Sequence, residues 1–207
     1  MDKYLSNNNQ RLTANILKEI ITSFLLSRDN KGMVGYEVMY GSSRCVADIV
    51  FISKGHSYAI EIKSEFDTIK RLENQLLEYQ TLFDYILVFT ATNHMETIKS
   101  ILPEYVGLYC INKTGIINKV QREKINRNVL KSEMLISIPS VDIKNKFSIK
   151  GKLTSDEIRA IAMKKTYKDI HSYFISYYKD KLNIRKSSNY INLHITPKET
   201  DEDFLIV

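Results

Sequence analysis

The chain has 207 residues, three prolines, seven glycines and a 43% hydrophobic share, enough for one sizeable core and too apolar for a disordered protein. No apolar run approaches the roughly 20 residues of a membrane helix. The polar start MDKYLSNNNQ lacks the apolar stretch of a secretory leader, so a cytoplasmic protein without a membrane role is expected. The net charge of +6 is unevenly spread. Residues 1–111 hold 11 Lys/Arg against 13 Asp/Glu, residues 112–186 hold 18 against 7, and residues 187–207 hold one against four. Basic character confined to one segment is what an electrostatic footprint on a polyanion looks like, although a lysine-rich solvated surface gives the same count. Cys45 and Cys110 lie far apart with no metal-type spacing, and are expected to be reduced.

The first element is a helix from Gln10 to Ser27, with Leu12, Ile16, Ile20 and Phe24 recurring every four residues and Glu19 at the edge of that face. RDNKG ends it. Val34 to Tyr40 alternates as a strand, with Val34, Tyr36, Val38 and Tyr40 on one side and Glu37 and Met39 on the other. After the turn Gly41-Ser42-Ser43, residues 44–63 read as a hairpin. Its first arm puts Ala47, Ile49 and Phe51 on one face and Asp48, Val50 and Ile52 on the other. Its turn is SKGHS, and its second arm, Tyr58 to Lys63, puts Glu61 and Lys63 on one face.

Asp67 then stands as the N-cap of a helix from Thr68 to Phe83. Ile69, Leu72, Leu76 and Phe83 form its buried stripe, and Arg71, Gln75 and Tyr79 line the rim. Tyr85 to Thr90 is a continuous apolar run, as in a strand covered on both faces. A short helix from His94 stops before Pro103, Val106 to Ile111 is a strand, and Gly115 to Val120 pairs with it.

Helical pattern takes over beyond residue 127. One segment spans residues 128–138, and Thr154-Ser-Asp-Glu157 is a capping box for a helix through Met163. A longer helix runs from Thr166 to Leu182 with Tyr167, Ile170, Phe174, Tyr177 and Tyr178 along one side. These patterns divide the chain into a core of residues 1–122, a basic helical region of residues 123–186 and a tail of residues 187–207.

Asp48, Glu61 and Lys63 carry the chemistry. Charges are rarely placed on otherwise apolar strands unless they are paired or bind a metal. Two carboxylates on neighbouring strands can converge on one hard cation such as Mg²⁺, with the Ile62 carbonyl as a further oxygen. Lys63 would face the same ion and could position a water or neutralise charge on a phosphate. A structural Glu–Lys pair on an exposed face has the same spacing. His56, His94, His171 and His194 lack metal-ligand or nucleophile–base spacing and read as polar turn or surface residues. There is no GxGxxG, GxxxxGK[ST] or GxSxG motif. Tyr173, Tyr177 and Tyr178 among Lys164, Lys165, Lys168, Lys179 and Lys181 suit base stacking and phosphate neutralisation, or a helix packed by its aromatic stripe with the lysines in water.

Ala47-Asp48, Glu61-Ile62-Lys63 and Gln75-Leu-Leu-Glu-Tyr79, in this order on these elements, resemble the PD-(D/E)XK nuclease superfamily, most of all its RecB-like branch and small bacterial proteins of that type. The resemblance covers roughly residues 10 to 111, with Ala47 standing where the family name has proline. It implies an α/β fold with a restriction-endonuclease-like mixed sheet flanked by helices, followed here by a C-terminal helical extension. It also implies a Mg²⁺- or Mn²⁺-dependent nuclease that hydrolyses DNA phosphodiester bonds by a metal-activated water. Asp48, Glu61 and the Ile62 carbonyl would bind the metal, Lys63 would serve the water, and Gln75 and Tyr79 would border the site. Glu37 and Glu19 match acidic positions that often join such sites, and either also reads as a surface charge. Nucleic acid, DNA first, is then the expected partner, bound by Arg71 and by the lysines at 164, 165, 168, 179 and 181. A homodimer or protein partner is also open. The alternative is a catalytically inactive nuclease-fold module for nucleic-acid binding or assembly.

Overall fold

The computed structural model describes residues 12–187, with side chains to residue 183. Thr13 caps the first helix, α1 (Ala14–Arg28), by accepting the Ile16 N–H, so the apolar repeat begins its first turn there. Three strands follow: β1 (Met33–Tyr40), β2 (Cys45–Ser53) and β3 (His56–Lys63). Helix α2 (Leu72–Gln80) leads to β4 (Tyr85–Ala91), a short 3-10 turn and α3 (Met95–Ile101). Then come β5 (Gly107–Ile111) and β6 (Ile117–Gln121). The remaining elements are helices: α4 (Lys131–Ile136), α5 (Ser140–Lys146), α6 (Ser155–Ala162) and α7 (Tyr167–Ser187).

The six strands make one mixed sheet in sequence order. The β1–β2, β2–β3 and β5–β6 pairs are antiparallel, and β3–β4 and β4–β5 are parallel. The parallel pairs need crossovers, which α2 and α3 supply. On one face Leu17, Ile21 and Leu25 of α1 pack on Ile49, Phe51, Ile60, Leu87 and Phe89. On the other, Leu72, Leu76 and Tyr79 of α2 share a core with Val50, Ala59 and Val88 of the sheet and with Met134, Ile158, Phe174 and Tyr178 of the C-terminal helices. The architecture is the expected one, a mixed α/β sheet flanked by helices with a helical C-terminal segment. No helix among the described residues is long and apolar enough to cross a membrane.

Three expectations about local structure are corrected. Asp67 does not cap α2. Its carboxylate accepts the Ser64 N–H at 2.7 Å and the Ser64 hydroxyl at 2.6 Å, closing a turn after β3, and the helix starts only at Leu72 with no side-chain cap. The alternation of β1 is also broken: Val34 and Tyr36 pack on the α1 side, whereas Val38 and Tyr40 lie in the core on the other face. Glu37 between them has φ of 48°, the left-handed region, which turns the strand over at that residue. The same switch on β2 puts Ala47 with Val50 and Ile52 and not with Ile49 and Phe51. Gly35 lies beneath the end of α7, where a Cβ would collide with Leu182.

The C-terminal helices are fastened to the sheet by polar contacts. Asn126 is buried, and its amide donates to the Gln80 and Phe83 carbonyls at 2.7 and 2.8 Å. Asp84, at the start of β4, accepts the Ser57 N–H at 2.8 Å and its hydroxyl at 2.9 Å. His171 Nε2 of α7 lies 2.9 Å from both Asp84 oxygens, so that nitrogen carries the proton. His171 is therefore not the surface residue its sequence context suggests: its side chain is 16% exposed.

Burial raises the Asp84 carboxyl, but the bonds from His171 and Ser57 outweigh it and hold the group below its ordinary 3.8. A depressed carboxylate adds stability that is complete above the unfolded value and lost as pH falls through the folded one. Asp84→Asn should cost roughly 1–3 kcal/mol at about pH 7. Urea titrations at several pH values check this, with the gap between variant and wild type narrowing as pH falls below 3.8 through the titration of the folded carboxyl.

Candidate active site

The site forms where β2 and β3 part. Their backbone register ends at Ile49↔Ile60. One residue beyond, the Asp48 carboxylate accepts the Ile62 N–H at 2.9 Å and so takes the place of a ladder carbonyl. β3 continues against β4 on its other edge, pairing Glu61 with Val88 and Lys63 with Thr90. Glu61 and Lys63 thus stand at the C-terminal end of a central strand, on the face that α2 covers.

Helix α2 closes the cluster. Lys63 Nζ donates to Glu61 Oε1 at 2.7 Å and to Gln75 Oε1 at 3.0 Å, and the Tyr79 hydroxyl donates to Glu61 Oε2 at 2.5 Å. The i, i+4 spacing of Gln75 and Tyr79 sets both over the strand end. The side chains of Lys63 and Glu61 are 9% and 3% exposed, so this is a buried ion pair and not a solvated surface one. Burial first, then the Glu61 charge, lifts the Tyr79 hydroxyl well above its ordinary value, leaving it a donor throughout the accessible pH range. Replacing a buried pair by apolar residues is often neutral or stabilising, while removing one partner costs about 3–5 kcal/mol. Stability alone therefore gives no reason to build Glu61–Lys63 into an apolar strand.

Asp48 is raised from 3.8 to about 6, first by burial and next by the Glu61 charge, against the opposing Ile62 N–H. The Glu37 charge pushes the same way and Lys18 opposes it. Glu37 lies between the pairs Tyr36↔Ile49 and Val38↔Ala47, hence across from Asp48, and is ion-paired to Lys18 of α1. Glu37 therefore borders the site electrostatically, whereas the Glu19 charge is felt at the Tyr36 hydroxyl.

Asp48, Glu61 and the Ile62 carbonyl offer hard oxygen donors, and a divalent cation would offset both the burial and the Glu61 charge that keep a proton on Asp48. Among the described residues no group of three or more His, Cys, Asp or Glu is placed to hold a metal. A cation here would thus need water and substrate oxygens for most of its shell, which is the usual habit of Mg²⁺.

The remaining predicted residues sit elsewhere. Arg71 is exposed at the start of α2, one turn ahead of Gln75, whose N–H its carbonyl accepts at 3.0 Å. Lys164, Lys165 and Lys168 are exposed between α6 and the first turn of α7, and Lys179 is exposed on α7. Lys165 lies over the Phe147 ring and Lys181 over Tyr178. Tyr178 is fully buried, and Tyr173 packs edge-on to Phe147, so the aromatic stripe of α7 is mainly core. Sequence reasoning passed over Lys18, which has no motif, and Asp84, whose place between Phe83 and the apolar run Tyr85–Phe89 was a signal. Asp84, His56, His171, Asn126, Arg127 and Tyr167 line a cavity of about 370 Å³.

The fold and this cluster define a mixed α/β protein with a carboxylate–lysine centre at the end of its central strands. The chain belongs to the family of bacteriophage P4 protein cII, whose model matches residues 5–204. No curated protein matches it. Among solved structures it is similar to the SPO1766 protein of unknown function from Silicibacter pomeroyi, at 14% identity and a TM-score of 0.41, over 91% of this chain and 100% of that one. A second similar structure is the protein of unknown function AF1548, at 13% identity and a TM-score of 0.32, over 81% and 97%. Neither likeness bears on the chemistry.

A carboxyl raised in the folded state costs stability as pH climbs from its unfolded value through its folded one. Without divalent cations, Asp48→Asn should match the wild type below about pH 4 and exceed it by up to about 2 kcal/mol at about pH 8. Denaturation across that range is the check; a constant difference would place the raised titration elsewhere.

Proposed function

We propose that the protein is a metal-dependent nuclease of the PD-(D/E)XK type that hydrolyses phosphodiester bonds, with DNA the first substrate to test. The observation that carries this reading is the convergence of Asp48, Glu61, Lys63, Gln75 and Tyr79 at one strand end, joined by the bonds described above. Asp48, Glu61 and the Ile62 carbonyl would hold Mg²⁺ or Mn²⁺, which when bound supplies Lewis-acid polarisation of a phosphoryl oxygen and a lowered water pKa. Lys63 Nζ, fixed between Glu61 and Gln75, orients the attacking water and offsets charge developing on the phosphate. Tyr79 keeps its proton and fixes the Glu61 carboxylate. The exposed Arg71, Lys164, Lys165, Lys168 and Lys179 are available to backbone phosphates. The same reading puts the chain in the reducing cytoplasm, where Cys45 and Cys110 stay free thiols.

One observation favours the alternative, a binding or assembly module without catalysis. Both Glu61 oxygens and the Lys63 amine already have partners within the protein, as in a polar cluster that only shapes the fold. Metal response separates the two, since an ion that binds only the folded state must stabilise it.

Plasmid and labelled single-stranded DNA should be cut in Mg²⁺ or Mn²⁺ and not in EDTA. Asp48→Ala and Lys63→Ala should each lower the rate by at least about a hundredfold. Either cation should also raise the melting temperature of the wild type but not of Asp48→Ala. Salt-sensitive binding with no cutting and no thermal response to metal would instead establish the module.

A further inference from the structure

At the other end of β3 from Lys63 lies the cavity of about 370 Å³ that Asp84 and His171 help to line. His56 is the residue that β3 contributes to it. Seven residue steps at about 3.3 Å each put His56 roughly 23 Å from Lys63, so the cavity is separate from the carboxylate–lysine centre. Some of its polar groups are fully engaged. Asp84 takes bonds from Ser57 and His171, and the Asn126 side chain donates to two carbonyls and accepts the Asn128 N–H at 3.0 Å.

Three others are not. Arg127 is exposed, and its guanidinium has no hydrogen bond or ion pair among the described residues. The Tyr167 ring stacks on His171 with centroids 5.6 Å apart, while its hydroxyl has no hydrogen-bond partner among the described residues. Burial, then the Asp84 charge, raises that hydroxyl above its ordinary 10.0, so it stays a donor. His56 turns a buried Nδ1 towards Asp84 Oδ2 at 3.8 Å, within ion-pair range but too far for a hydrogen bond, and that nitrogen is left unbonded. The side chain is nevertheless 41% exposed, so its open edge is the one that carries Nε2. A buried nitrogen without a partner calls for an explanation. An anion at Nε2 supplies one, because it would hold the ring as an imidazolium whose Nδ1–H then pairs with Asp84.

The uncommitted side-chain groups of the cavity are thus all donors, and they come from three separate segments of the chain. Such a set selects a ligand group that only accepts. A carboxylate offers two oxygens, whereas a phosphate monoester offers three and a charge of about −1.5 to −2, which suits a guanidinium, an imidazolium and a phenol together. Ile125, Val129 and the Tyr167 ring supply apolar wall beside them, and the volume is that of a small-molecule site. We propose that this cavity binds a terminal phosphate monoester with an organic body, the group that a mononucleotide carries, with Arg127, His56 and Tyr167 as its donors. The proposal goes beyond the nuclease reading and does not rest on it.

The full chain in EDTA, which keeps divalent cations from the other centre, would be titrated by calorimetry with AMP, adenosine, ribose 5-phosphate and inorganic phosphate. A short oligonucleotide with and without a 5′-phosphate completes the set. A phosphorylated ester should bind and its unphosphorylated counterpart should not. Arg127→Ala and His56→Gln should each weaken that binding by at least about tenfold, and Tyr167→Phe by about threefold. Without ligand, Arg127→Ala and Tyr167→Phe should melt with the wild type, since neither removed group has a hydrogen-bond partner. Binding of AMP or ribose 5-phosphate identifies a free small molecule as the source, binding of the phosphorylated strand alone identifies a strand end, and either upholds the site. Equal binding with and without the phosphate overturns it, as does phosphate-dependent binding that survives all three substitutions or no binding of any ester. Inorganic phosphate bound as tightly as the esters overturns the part given to the apolar walls.

Discussion

The structure depends on what is done with the Glu61 carboxylate. It lies in a central strand with 2% of its surface exposed, and such a charge is tolerated only where its lone pairs are met. Lys63 and Tyr79 meet them, and Gln75 meets what is left of Lys63. That requirement fixes the angle at which α2 crosses the sheet, because two of its residues must reach one strand end. It also explains why Tyr79 is wholly buried instead of lining the rim, its hydroxyl being the acid's second partner. Tyr40 and Phe83 pack against the Tyr79 ring, so the polar cluster is roofed by aromatic core.

The second constraint is the reversal of faces on β1 and β2. A strand that alternated strictly would send Glu37 to one side and the tyrosines on either side of it to the other. With Glu37 in a left-handed conformation, the hairpin of β1 and β2 contributes to the α1 layer at one end and to the helical layer at the other. Asp48 sits at this crossing, where β2 has left β3 and its carboxylate can bond to Ile62. The irregularity is what allows a side chain to enter a gap that backbone would otherwise fill, as local breaks in strands commonly do.

How much of this could be read in advance follows from what a pattern encodes. Periodic and continuous apolar signals located all six strands to within about two residues and α1, α2 and α7 to within about five, because each buries apolar residues against its neighbours. The motif residues 48, 61, 63, 75 and 79 were found by type and spacing, and they do meet. Three things were beyond such signals. The delayed start of α2 depends on Asp67 preferring the Ser64 donors, two competing local bonds of similar strength. The turnover at Glu37 is a backbone conformation with no glycine to announce it. Helix α5, SVDIKNK, shows one buried residue, Ile143, too little for a period. The basic segment was legible as charge but not as placement. Lys131 and Lys144 spend their amines on carbonyls at the ends of helices and turns, while others lie over aromatic rings.

Two carboxylates that bond to the backbone of β3, the buried Asp84 and the half-buried Asp48, show why one end of the strand is read as a site and the other as a fastening. Near the first end, Asp84 has a backbone N–H, a hydroxyl and an imidazole directed at it, and the sum of these exceeds the cost of burial, so it is held ionised. Nothing is gained there by adding a further cation. At the other end, burial of Asp48 and, after it, the charges of Glu61 and Glu37 outweigh its one backbone N–H, and the balance runs the opposite way, holding its proton to about pH 6. A fold that needed only to bury β3 could have replaced Asp48 and Glu61 by apolar residues without loss. It keeps two mutually repelling acids at the strand end and sets a lysine beside them. A carboxyl raised first by burial and then by a neighbouring acid is, beside the lysine and the motif spacing, the physical reason to look for a cation and an anionic substrate at this end of the molecule.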